Sequence, residues 1–96
     1  LEKKHGVRRY ACDASDPAAM EKLFDNVVRD LGAPRLVVHN IDGRVPGIFR
    51  KTIIEAEPAM AFETIRNATF SAFLVGQHAA RVMLGNEPAA NGARGR

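Results

Sequence analysis

Arg35-Leu36-Val37-Val38-His39-Asn40-Ile41-Asp42-Gly43 turns from apolar to polar in one step, between Val38 and His39. Leu36, Val37 and Val38 are consecutive apolar residues, two of them β-branched. A run that does not alternate suits a strand covered on both faces, as in a parallel sheet, better than a half-exposed antiparallel strand. Polar residues and the chain breakers Gly43, Pro46 and Gly47 then predict a loop from His39 to Gly47.

On the N-terminal side, Val7 to Cys12 reads as a short strand, with Val7, Tyr10 and Cys12 as its less polar members. Asp13-Ala14-Ser15-Asp16-Pro17 follows. Ser15 or Asp16 can cap a helix, and Pro17 suits the first turn because its missing N–H costs nothing there. Met20, Leu23, Phe24, Val27, Val28 and Leu31 then recur at helical spacing and form one apolar stripe. Gly32 and Pro34 stop that helix. The strand–helix–strand spacing is about 30 residues, the size of one βαβ unit.

On the C-terminal side, residues 48–56 read as a short helix or an irregular segment. Pro58 opens a long helix predicted to run to about Leu84. Its broad stripe is Ile65, Ala68, Thr69, Ala72, Phe73, Gly76, Ala79, Ala80 and Met83, with Phe70, Leu74 and Val75 off it. A helix apolar on more than one face is buried or meets a partner. From Gly85 to Arg96 the periodicity vanishes, and the segment reads as a loop or disordered tail.

Composition narrows the function classes. The net charge is +3, from 14 Lys+Arg against 11 Asp+Glu, with much of the excess at the ends in Lys3, Lys4, Arg8, Arg9, Arg94 and Arg96. That arrangement does not gather basic residues with aromatics on one face, as nucleic-acid binding requires. No apolar run is long enough to span a membrane, and the charged start, Leu1-Glu2-Lys3-Lys4-His5-Gly6, has no secretory h-region. Cys12 stands alone, so no intrachain disulfide and no cysteine-based metal site can form, and a reduced cytoplasmic setting is expected. No second His or Cys is spaced to make a metal site with His39. His39 and Ser71 lie too far apart in sequence to read as a pair.

Taken in order, the first strand, Asp13-Ala14, the amphipathic helix, Leu36-Val37-Val38-His39-Asn40, the loop, and Ala72-Phe73-Leu74-Val75 in a long helix resemble the short-chain dehydrogenase/reductases. The resemblance covers almost the whole chain. It falls on the family's third and fourth strands, the helix between them and the long fifth helix. It implies a partial Rossmann-like α/β three-layer sandwich, with parallel strands, a crossover helix and a long packing helix. Residues 1–84 would be the central part of an NAD(P)-binding domain, with 85–96 as the tail.

The resemblance also implies site residues. Asp13 matches the Asp that lies against the cofactor's adenine, with Ala14 beside it; a carboxylate can accept from the exocyclic amine and a backbone N–H can donate to a ring nitrogen. Asp13 also reads as a turn or capping residue before Pro17. Asn40 matches the second Asn of the family's Asn-Asn-Ala-Gly motif, which helps hold the central strands together. Ile41 takes the Ala position near the adenosine ribose. His39 replaces the first Asn. Asp42 falls on the Gly position, where a carboxylate is unfavourable unless it binds ribose hydroxyls. The family's catalytic Asn, which supports a water-linked proton relay to the catalytic Lys, aligns with Ala68 when Ala72-Phe73 is the anchor. Asn67 stands one residue earlier, about 100° away on an α-helix, and is the candidate catalytic residue.

The family's glycine-rich phosphate loop and its Tyr-x-x-x-Lys pair are not in these 96 residues; four after Tyr10, the sole Tyr, comes Ala14. The chain therefore reads as the middle section of an NAD- or NADP-dependent oxidoreductase that moves hydride between the cofactor and a carbonyl or alcohol substrate. By itself it is expected to be inactive. A homo-oligomer through the long helix is implied. His39, Asp42 and Ala68 also motivate a catalytically inert Rossmann-fold binding or structural module. Another doubly wound fold, such as a flavodoxin-like domain, has no phosphate loop or acidic cluster to support it.

Overall fold

The computed structural model describes residues 6–96; the charged start at residues 1–5, including Lys3 and Lys4, lies outside them. Helix α1 spans Pro17–Leu31. Asp16 caps it, its carboxylate accepting from the Ala18 N–H at 3.1 Å, so of the two predicted caps Asp16 is the one used. Gly32 ends it at φ 91°, its N–H on the Val28 carbonyl, a backbone angle that favours glycine.

After a short 3₁₀ turn at Pro46–Ile48, the predicted long helix forms in three parts. Helix α2 spans Pro58–Ile65, a π-turn spans Arg66–Phe70, and helix α3 spans Ser71–Met83. The Ser71 N–H reaches back five residues to the Arg66 carbonyl, so one extra residue fits into the turn. An extra residue rotates everything beyond it by about 100°. The buried face of α3 keeps only part of the predicted stripe: Ala79 and Met83, both on it, are buried. Leu74, placed off the stripe, is buried at 4% exposure, whereas Phe73, placed on it, is 57% exposed.

Helices α1 and α3 pack on each other around Met20, Phe24, Leu74, Ala79 and Met83. Phe24 stacks on His78 with ring centroids 5.5 Å apart. Each fully buried large side chain stabilises by about 1.5–3 kcal/mol, and this is a small set for a chain of this length. No described helix is long and apolar enough to cross a membrane.

The predicted α/β sandwich is overturned. Among the described residues the regular structure is entirely helical, with no strand and no sheet. Residues 7–12 and 36–38 exchange no backbone hydrogen bonds, and α1 crosses between no strands; it packs on α3 instead. An apolar run records a demand for cover. A strand exists only where another backbone lies about 4.8 Å away to take its N–H and C=O groups. Here Leu36 and Val38 remain 67% and 75% exposed. The backbone partner that this segment does find is Arg96, whose N–H donates to the Arg35 carbonyl and whose carbonyl accepts from the Val37 N–H, both at 2.7 Å.

That contact folds residues 85–96 back over 34–37. The Asn86 side chain donates to the Pro34 and Arg94 carbonyls at 3.1 and 2.9 Å. Arg35 donates to the Glu87 carbonyl at 2.8 Å.

Candidate functional site

A cavity of 310 Å³ opens where the loop before α1, the loop after Val38 and the π-turn meet. Cys12, Asp13, Ala14, Ser15, Ile41, Asp42 and Asn67 line it. Five of the six residues singled out in the sequence, Asp13, Ala14, Ile41, Asp42 and Asn67, thus come together. Asn40 does not line the cavity. It is exposed, and without a sheet it joins no central strands.

Asp13 makes the turn that leads into α1. Its Oδ1 accepts from the Ser15 N–H at 3.0 Å and from the Ser15 hydroxyl at 2.7 Å. These bonds favour the ionised form and hold the carboxyl below the usual aspartate value, with Arg66 adding a weaker pull in the same direction. The hydrogen bonds that the structure gives Asp13 are those of a turn residue, and they leave Oδ2 out. Cys12 sits on the same wall. Burial pushes its thiol pKa up, with Asp13 and Asp16 adding to the effect, so the thiolate is disfavoured.

Asp42 is not a bare carboxylate. Arg44 grips it in a forked pair, Nε to Oδ1 at 2.9 Å and a terminal nitrogen to Oδ2 at 2.7 Å, while the Arg44 N–H adds a bond at 3.1 Å. Together these lower the Asp42 pKa to about 2. The guanidinium lies over the Phe49 ring, 4.8 Å from its centroid. Sequence reading missed Arg44. The available signal was its spacing, two residues after an Asp in a loop, which allows side chain and backbone to close on one carboxylate.

Asn67 belongs to the π-turn, and its side-chain amide donates to the Gly43 carbonyl at 3.3 Å. The one-residue offset from the Ala72-Phe73 anchor spans the turn that inserts one residue. Ala68 faces the Gly43 backbone. His39 and Ser71, dismissed as a pair in the sequence, are hydrogen-bonded at 2.9 Å.

A family model described as enoyl-(acyl carrier protein) reductase matches residues 1–92. The chain belongs to the short-chain dehydrogenase/reductase family. That is a family of oxidoreductases that generally use NAD(P). No curated protein and no solved structure matches the chain.

As a short-chain dehydrogenase/reductase chain, it offers acceptors more than donors at its cavity. Two carboxylates line the wall, one of them neutralised by Arg44. Hydroxyl and amine donors fit such a wall; phosphate oxygens do not.

Proposed function

We propose that the cavity takes the adenosine end of NAD or NADP, in a protein that moves hydride between that cofactor and a carbonyl or alcohol substrate. The observation that carries the reading is the convergence of Asp13, Ala14, Ile41 and Asp42, from two loops far apart in sequence, on one cavity. Asp13 Oδ2 would accept from the adenine amine and the Ala14 N–H would donate to a ring nitrogen. Asp42 would accept from ribose hydroxyls, and its pairing with Arg44 removes the repulsion that a lone carboxylate would add. Asn67 would serve in the helix as the family's Asn does. When bound, the nicotinamide ring gives or takes the hydride.

The description of the matching family model adds enoyl thioesters to the substrate classes worth assaying. A homo-oligomer is part of the reading. Its face is the exposed Phe62, Ile65 and Phe73, at 70%, 57% and 57%, with the Phe70 ring 6.1 Å from that of Phe73. Leu74 is buried within the chain and does not belong to that face. The single unpaired cysteine supports a reducing compartment such as the cytoplasm.

A catalytically inert binding module is the second reading. Ala68, at the position anchored by Ala72-Phe73, carries no polar group, and the Asn67 amide is occupied by Gly43. The test is titration of the ¹⁵N-labelled protein with adenosine monophosphate and with NADH. Amide shifts confined to residues 12–15, 41–42 and 67 support the cavity. Shifts elsewhere, or none at millimolar ligand, overturn it.

A further inference from the structure

Ser71 is fully buried, at 0% exposure, and carries the one hydroxyl at the head of α3. In an α-helix its N–H would bond the Asn67 carbonyl. Here that N–H is shared between the Ala68 and Arg66 carbonyls instead, and the hydroxyl supplies a bond to the Asn67 carbonyl, with the Ala68 carbonyl 3.1 Å away. Both are carbonyl oxygens, so the hydroxyl proton goes to them; a hydroxyl turned elsewhere would set lone pairs against lone pairs. The remaining capacity of Ser71 is to accept. His39 Nε2 stands 2.9 Å from that oxygen and must therefore be the donor.

We propose that His39 is a positioning residue. As an Nε2–H donor it holds the Ser71 hydroxyl on the π-turn carbonyls, and so fixes the register in which Asn67 meets Gly43 beside the cavity. The proposal takes from the preceding reading only that Asn67 is a site residue. The interaction explains why a histidine tolerates the end of an apolar run. It also steadies the Ser71 hydroxyl that replaces, at the Asn67 carbonyl, the backbone bond given up in the π-turn.

The direct test is a long-range ¹H–¹⁵N spectrum of the protein at about pH 8.5, where imidazoles are neutral. His39 is expected as the single Nε2–H tautomer; an Nδ1–H tautomer or an averaged mixture overturns the proposal. Hydrogen exchange supplies the second arm. His39→Leu is expected to speed exchange at residues 67–72 at least roughly tenfold, as for loss of one buried hydrogen bond, while amides of α1 hold their rates. His39→Gln, which keeps an N–H donor, is expected to restore protection. Equal rates in wild type and His39→Leu, or parallel loss across α1, overturn it. If His39→Leu does not fold, the tautomer in the wild-type protein decides. None of these readouts needs a dinucleotide, so a blank NADH titration counts against the preceding reading alone.

Discussion

Gly43 runs so close to Ala68 that a β-carbon on it would stand 2.5 Å from the Ala68 amide nitrogen and 2.7 Å from the Ala68 β-carbon. The obstacles are backbone and a β-carbon, neither of which can swing aside. Together with the bond from Asn67 to the Gly43 carbonyl, this contact seats the loop on the π-turn, next to Asp42 and Asn67, which line the cavity.

Gly43→Ala is therefore expected to destabilise by about 1–3 kcal/mol, the usual cost of overfilling a packed contact. Denaturant melts measure it. The Asn67 side-chain amide signals should shift in the same variant, because the loop must withdraw from the turn. An unchanged midpoint would contradict the contact.

Packing of α3 on α1 separates two neighbours, Leu74 buried at 4% and Phe73 exposed at 57%. Leu74→Ala is expected to cost about 2–5 kcal/mol, enough to remove cooperative melting from a chain with so small a core. Phe73→Ala, on the exposed side, is expected to fall within about 0.5 kcal/mol in dilute monomer. If the two variants melt alike, α3 does not sit in this register. The wild-type monomer itself is expected to melt below about 60 °C.

Acid reports on Asp42. Its folded pKa of about 2 lies below the ordinary 3.8. The pair's contribution is thus complete above the ordinary value and is lost as pH falls through about 2. Both side chains are more than half exposed, at 57% and 59%, so global stability changes little and added salt weakens the effect. Arg44→Ala is expected to return the Asp42 carboxyl titration, followed by carbon-detected NMR, to the usual aspartate range. A titration left near 2 would show that Arg44 is not the cause.

Binding to the cavity is expected to be weak in these 96 residues. Calorimetry with NADH should show no micromolar affinity, and assays with carbonyl, alcohol or enoyl substrates should show no turnover. Micromolar binding would mean that the adenosine contacts alone suffice, which Asp13, Ala14 and Asp42 do not support.

Some features were legible because their causes are local. The cap at Asp16, the proline that starts α1 and the glycine that ends it act within a few residues, and α1 forms where they say. The pairing of Asp42 with Arg44 was local too, yet escaped reading, because a loop has no period to draw attention to a residue two positions away. The His39–Ser71 bond could not be read, since 32 residues separate its ends and nothing in either segment specifies the other.

The amino-acid sequence by itself determined helix α1 with both its ends, the start of α2 at Pro58, the family to which the chain belongs and the residues that resemble a cofactor site. Spacing, caps and chain breakers act over a turn or two, and a motif is a matter of order. Only the tertiary structure decided that residues 7–12 and 36–38 form no sheet, because strands require a partner backbone and hydrophobicity cannot supply one. Only it decided which face of α3 is buried, because that face is the one that meets Met20 and Phe24 of α1, and helical periodicity within α3 cannot say where α1 lies. The gathering of Asp13, Asp42 and Asn67 around one cavity likewise depended on how α1 and α3 pack, through Met20, Phe24 and Leu74.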